Sequence, residues 1–188
     1  MAHVTVLLPQ GFADWEYALL AGTGGPFFGL DIRFVSPTPG EVTSQGGLTA
    51  HVPAGPDSLA SSPGVIAVIG SPLWATDAAP DLSDLLRAHY HDGGVVAGIC
   101  GSTLALARAG LLDHHQHTSN DLQFLIENAK TYAGQTSFKP SKKAVADKRI
   151  ITSPGTAPVS FTAEIFALAG VRPASVTQFK SMMAAEHD

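Results

Sequence analysis

The sequence predicts an α/β fold, a mostly parallel sheet with helices on both faces. Three observations predict it. Short apolar runs alternate with helical patterns almost to the end of the chain. Two of the runs, Val65 to Ile69 and Val95 to Ile99, are apolar without interruption, as strands buried on both faces are. Neither an internal repeat nor a Ser/Gly-rich linker divides the 188 residues, so positions 1–188 are read as a single domain.

Each element has a local reason. Val4 to Leu8 reads as a strand stopped by Pro9 and Gly11. Asp14 to Ala21 reads as a helix with an apolar stripe through Trp15, Ala18 and Leu19, capped by Asp14 and broken by Gly22, Gly24, Gly25 and Pro26. Ile32 to Ser36 is a second strand. Val42 to Ser44 and Leu48 to His51 flank Gln45-Gly46-Gly47 as a hairpin. Val65 to Ile69 ends at Gly70-Ser71-Pro72, and Leu82 to His91 is a helix with Pro80 near its start. After Val95 to Ile99 comes a helix over Thr103 to Arg108. Asp121 to Ala129 is helical, and Ala144 to Ala146 pairs with Arg149 to Thr152 around Asp147-Lys148. The helices Val159 to Ala169 and Ser175 to Ala185 are separated by Gly170 and Pro173.

Composition narrows the function classes. Hydrophobic residues at 45% and charged residues at 14% supply an ample core. A chain of this size buries about 70% of its unfolded surface and needs no staples. A single cysteine excludes an internal disulfide, which suits a reducing compartment. With a net charge of −5 and no basic stripe, nucleic acid is not an expected partner. No apolar run approaches a membrane span. Met1 to Leu8 lacks the basic region and cleavage site of a signal peptide. The expectation is a soluble, cytoplasmic protein without a membrane partner.

The chemistry centres on that cysteine, Cys100, set between Gly98-Ile99 and Gly101-Ser102 where a strand turns into a helix. Small neighbours allow a sharp turn that holds the side chain clear of the chain, as a nucleophile elbow does. A helix start behind the thiol favours its thiolate. The competing reading is a small buried hydrophobe; the flanking glycines and the helix start favour the reactive one.

In such sheets the ligand crevice lies beyond the carboxyl ends of the strands. Three segments reach that edge: Pro9 to Glu16, Gly70 to Trp74, and Cys100 to Thr103. Glu16 is either a solvated helix residue or a carboxyl buried against Cys100. If buried, repulsion and desolvation keep it protonated, able to donate to a thiolate. N–H groups of the Gly70-Ser71 loop and of Gly101 can form an oxyanion hole. Phe12, Trp74 and Asn120 suggest a small, partly apolar pocket; for Trp74 packing on a helix is the slightly favoured reading, and for Gly70 a simple turn glycine is the competing one.

A nucleophile ordinarily needs a base, and no histidine adjoins Cys100. His3 opens a strand, His89 and His91 end a helix, and His187 lies in the tail. His114-His115-Gln116-His117 resembles a metal tract, but no carboxylate or cysteine stands at ligand spacing. It reads as a solvated loop, with His117 the best candidate base. Neither a metal nor a cofactor is expected.

Four stretches carry a family resemblance: Gly11-Phe12-Ala13-Asp14-Trp15-Glu16, Ile69-Gly70-Ser71, Gly98-Ile99-Cys100-Gly101, and Ser153 to Pro158. In order and spacing they resemble the DJ-1/PfpI (ThiJ/PfpI) superfamily over nearly the whole chain, and above all small bacterial members with Ala-Asp-Trp-Glu and His-Thr-Ser-Asn signatures, here Ala13 to Glu16 and His117 to Asn120. The resemblance implies a three-layer, flavodoxin-like sandwich, a homodimer, Cys100 as elbow nucleophile and Glu16 as its protonated partner. Members include intracellular proteases, glyoxalases and deglycases, isocyanide hydratases and redox-responsive stress proteins. Gly101 replaces the histidine that follows the nucleophile in the protease branch, which disfavours protease activity. Asn120 falls where the glyoxalase branch carries a histidine. The late His-x-Glu pair of glutamine amidotransferases is missing from Pro154 to Pro158.

Two functions compete. One is a cysteine-nucleophile enzyme acting on a small carbonyl or amide-type substrate, as a hydrolase, amidase or glyoxalase-like lyase. The other is a stress-response sensor in which Cys100 is oxidised to sulfinate without turnover. A third, a binding module without chemistry, is weighed beside them.

Overall fold

Alternation along the strands sorts the core into two layers. A computed structural model describes residues 3–59 and 64–185. Met1, Ala2 and His187, on which part of the sequence reading fell, lie outside the described residues. Six strands form one sheet: β1 (His3–Leu7), β2 (Asp31–Val35), β5 (Val65–Val68), β6 (Val95–Ile99), β7 (Val145–Asp147) and β8 (Ile150–Ser153), in the order β2-β1-β5-β6-β8-β7. Every pairing is parallel except β7 with β8, which closes one edge as an antiparallel hairpin. A separate hairpin joins β3 (Gly40–Thr43) to β4 (Thr49–Val52).

Among the described residues the α-helices are α1 (Asp14–Phe28), α2 (Ser83–His91), α3 (Thr103–Arg108), α4 (Leu122–Asn128), α5 (Pro158–Leu168) and α6 (Pro173–Ala184). Val4, Val6, Ala67, Ile69, Ala97 and Ile99 face α1, α5 and α6. Their neighbours Leu7, Ile66, Val68 and Val96 face α2, α3 and α4. This is the expected three-layer sandwich: side chains alternate across a strand, and both faces here are apolar.

The sequence reading of α1 needs three corrections. Gly22, Gly24, Gly25 and Pro26 do not end it; the helix runs on to Phe28 and stops at Gly29, whose φ of +67° is left-handed. Packing outweighs propensity here, because Phe28 stacks on Phe166 at 4.8 Å and on Phe179 at 6.3 Å. The buried stripe is also not Trp15, Ala18 and Leu19. It is Glu16, Leu20 and Gly24, at helical spacing, while Trp15 and Ala18 are exposed. A Cβ on Gly24 would stand 3.1 Å from Ile32 and 3.2 Å from Phe166, so glycine lets the helix lie close. Asp14 is not the cap either. Ala13 holds the N-cap position, and the Asp14 carboxylate accepts from the Gly46 N–H at 2.8 Å, tying α1 to the β3–β4 hairpin.

Among the described residues no helix is long and apolar enough to cross a membrane.

Candidate active site

β6 delivers Cys100 to the carboxyl edge of the sheet. The chain turns there with Cys100 at φ +58°, one of two non-glycine residues with positive φ among those described. Left-handed backbone is costly for a side-chain-bearing residue and persists where the surroundings hold it. They do. The buried Ser102 hydroxyl accepts from the Ile99 N–H at 2.8 Å and stands 2.7 Å from both the Val68 and the Ile99 carbonyl oxygens, donating to one of them. Thr103 donates its hydroxyl to the Cys100 carbonyl at 2.7 Å. Ser102, which the sequence reading did not single out, thus ties the turn to the ends of β5 and β6.

Glu16 arrives from the first turn of α1, which opens after β1. It is fully buried. The Gly70 N–H donates to its Oε2 at 2.7 Å, while its Oε1 has no donor among the described residues. Gly70 therefore spends its N–H on Glu16, which corrects its assignment to an oxyanion hole. No acceptor takes the Ser71 N–H among the described residues; the Ser71 hydroxyl donates to the Gln10 carbonyl at 2.7 Å and accepts from the Leu73 N–H. Gly101, next in the chain after Cys100, is buried.

Two glycines make room for the pair. A Cβ on Gly155 would lie 2.8 Å from Cys100 Sγ and 3.3 Å from Glu16 Oε1. One on Gly70 would lie 2.8 Å from Oε1 and 3.0 Å from Cys100 Cβ. Both positions demand glycine because the side chains pass so near the backbone. Gly155 is a site residue that the sequence reading quoted only within a motif. The Pro154-Gly155 pair after β8 was the available signal.

Asn120 closes the site. Its Nδ2 lies 3.3 Å from Cys100 Sγ, and its Oδ1 accepts from the Gly155 N–H at 3.0 Å. Trp15 stands at the rim, about half exposed, its indole N–H donating to the Gly155 carbonyl at 3.0 Å.

The electrostatics follow from burial. Desolvation lifts the Glu16 carboxyl to about 7, with the Gly70 N–H and the thiol acting against that rise. Burial also pushes the Cys100 thiol up, and a charged Glu16 would push it further; the Asn120 amide and the Gly101 N–H pull it down. The two groups are one coupled system, and the charge of either depends on the other.

Three expected site residues stand elsewhere. Phe12 is fully buried in the core under α1, in edge contact with Tyr17 at 5.6 Å. Trp74 is fully buried on the opposite layer, its indole N–H on the Ile69 carbonyl at 2.9 Å, so it packs rather than lining a pocket. His117 is not in a solvated loop. It is fully buried, with Nδ1 2.7 Å from the His115 carbonyl and Nε2 2.6 Å from the Tyr132 hydroxyl. Both nitrogens are engaged, so the ring is not available to Cys100 as a base. The apolar bulk of the Phe12 and Trp74 rings carries them into the core rather than to a pocket wall.

Among the described residues no group of three or more metal-ligating side chains is placed to hold a metal ion. A surface groove of 430 Å³ lies between the start of α5 and the end of α6, rimmed by Lys142, Lys143 and Lys180. Neither Cys100 nor Glu16 lines it, so volume and chemistry do not coincide.

Comparison with known proteins agrees with this geometry. The family model described as DJ-1/PfpI matches residues 2–168. The chain is 32% identical to the uncharacterized protease YdeA of Bacillus subtilis over 162 residues, covering 86% of this chain and 80% of that one. The crystal structure of the DJ-1 superfamily protein Atu0886 from Agrobacterium tumefaciens superposes with a TM-score of 0.92 at 33% identity, over 100% of both chains. That of a ThiJ/PfpI family protein from Bacillus anthracis gives 0.88 at 25% identity, over 97% of this chain and 91% of that one. With a cysteine at a left-handed strand end, a buried glutamate against it and these matches along nearly its full length, the chain belongs to the DJ-1/PfpI family.

Proposed function

We propose that the protein is a cysteine-dependent enzyme in which Cys100, as thiolate, adds to a small electrophilic carbonyl compound while Glu16 supplies the proton. The observation that carries this reading is the fully buried Glu16, whose Oε1 has no donor among the described residues and faces the thiol. A carboxyl so placed is stabilised by keeping its proton.

The pair loses one proton before two, so a single negative charge must be placed. On Glu16 it would meet the Gly70 N–H and the thiol. On sulfur it meets the Asn120 amide at 3.3 Å. We take the charge to lie on sulfur in the reactive form, where the Asn120 amide is set against it. No separate base is then required. Sulfur bonds to the carbonyl carbon and the π pair moves to oxygen. The Ser71 and Gly101 N–H groups receive that oxygen, and Glu16 protonates it, becoming carboxylate. Only the ground-state thiolate must be made in advance, which fits a site where His117 is engaged elsewhere. The reading takes positions 1–188 as one domain, acting on a small molecule as a homodimer.

The test is turnover of an α-oxoaldehyde and of an aryl amide by wild type and Cys100→Ser. Loss of turnover in the variant is expected, on the aldehyde above all. Turnover that survives intact ends this reading.

A second reading, an oxidation sensor, draws on the sulfur having no histidine nitrogen against it among the described residues. Peroxide would carry Cys100 through sulfenate to sulfinate. Intact mass after mild peroxide tests it. Addition of two oxygens at Cys100 supports the sensor, and a thiol that survives while methionines oxidise argues against it.

A further inference from the structure

The mechanism leaves the buried histidine and the segment that follows it unexplained. Residues 117–119 lead into Asn120, and each is held by hydrogen bonds to other segments. The His117 N–H donates to the Ser137 carbonyl, and the His117 carbonyl accepts from the Lys139 N–H at 2.7 Å. The His117 nitrogen beside a carbonyl must carry the ring proton, so Nδ1–H donates to His115 and Nε2 accepts from Tyr132. Burial pushes the Tyr132 phenol up to about 12, which keeps it a donor. The Thr118 N–H donates to Thr152 Oγ1 at 2.8 Å. Thr103 has spent its single proton on the Cys100 carbonyl, so Ser119 donates to Thr103 Oγ1 at 2.7 Å. These partners belong to β8, α3 and the segments around Tyr132 and Ser137. The only side chain of the four that reaches the sulfur is Asn120.

We infer that His117 and Tyr132, with Ser119, are positioning residues. Their bracket holds Asn120 so that its amide Nδ2, and not its oxygen, faces Cys100. The Gly155 N–H sets the amide's orientation by occupying Oδ1; the bracket sets its depth. An asparagine side chain has two rotatable bonds, and its one hydrogen bond to Gly155 does not fix the Cα from which it springs. The buried hydrogen bonds of His117 and Ser119 do. Truncation at the far end of this bracket therefore reaches the thiolate without touching it.

This inference rests on the proposed thiolate site, and the experiment separates the two. The probe is iodoacetamide, and the measurement is the alkylation rate of Cys100 against pH in the full chain, with thermal unfolding recorded in parallel. Asn120→Ala tests the site itself: alkylation below the titration midpoint is expected to slow about tenfold, one pKa step. No change there removes Asn120 from the proposed mechanism. Tyr132→Phe deletes only the hydroxyl that His117 accepts from, and Ser119→Ala only the one that Thr103 accepts from. Each is expected to slow alkylation several-fold and move its midpoint upward. Each double variant with Asn120→Ala is expected to be no slower than Asn120→Ala alone, since interacting residues are not additive. If Asn120→Ala shifts the profile while both bracket variants lower only the thermal midpoint, the bracket is merely structural and the inference fails. Full additivity in the double variants also overturns it. Ser119→Ala keeps the test open should Tyr132→Phe not fold.

Discussion

The Glu16 carboxyl and the Cys100 thiol share a slot walled by the α-carbons of Gly70 and Gly155. A methyl group on either wall would meet both: 2.8 Å from Sγ and 3.3 Å from Oε1 at Gly155, 2.8 Å from Oε1 and 3.0 Å from Cys100 Cβ at Gly70. The pair is held in contact by what these backbones lack.

Gly155→Ala should therefore damage chemistry more than folding. Sulfur can swing away from the new methyl, so the stability cost stays near 1–3 kcal/mol, typical of overpacking. The swing costs the thiolate its place against Asn120 and Glu16. Turnover is expected to fall on the order of a hundredfold, as for a misplaced reacting group. Kinetics beside a urea titration check this, and unaltered turnover would show that the close approach has no role.

The raised Glu16 carboxyl makes stability depend on pH in a definite sense. Its folded value of about 7 lies above the ordinary 4.5, so the folded chain holds a proton that the unfolded chain has released. The contribution is complete below the ordinary value and is lost as pH rises through the folded one. Glu16→Gln abolishes this titration. Its stability relative to wild type should climb between about pH 5 and about pH 8, by up to roughly 3 kcal/mol. A difference that stays flat with pH would mean the carboxyl is already charged.

Cys100 carries backbone strain that can be measured apart from its sulfur. Cys100→Ala and Cys100→Gly both remove the thiol, yet only glycine is at ease at φ +58°. The glycine variant should be the more stable by about 1 kcal/mol. Equal urea midpoints would place the strain elsewhere.

Burial holds His117 below its ordinary value of 6.5. The unfolded chain takes up the proton first, so this group favours folding above that value and ceases to as pH falls below it. By NMR, the His117 ring should titrate below 6.5. A midpoint at or above it would mean the Tyr132 contact does not keep the ring neutral.

The strand–helix order and the elbow were legible because they rest on local chemistry: apolar runs, and glycines flanking one cysteine. The depth of Glu16 was not, since it depends on which way α1 is rolled. The apolar Trp15, Ala18 and Leu19 indicated one face, whereas contacts with β2 and α5 select the face of Glu16, Leu20 and Gly24. Rings posed the same difficulty. Phe12 and Trp74 follow strand ends closely in the sequence and His117 belongs to a run of histidines; only three-dimensional packing shows that all three are fully buried and that Asn120, among the expected pocket residues, reaches the sulfur. Gly155 comes 55 residues after Cys100, and nothing short of the parallel register of β6 with β8 brings them together.

Gly24 gives α1 the properties of a lever. It lies two turns from Glu16, about 12 Å along the axis at 1.5 Å per residue, and on the same buried line. A larger residue there would prise the far end of the helix from Ile32 and Phe166 and tilt the near end, letting water reach the acid. The wetting of the Glu16 carboxyl can thus change through substitutions that a survey of the pocket alone would pass over.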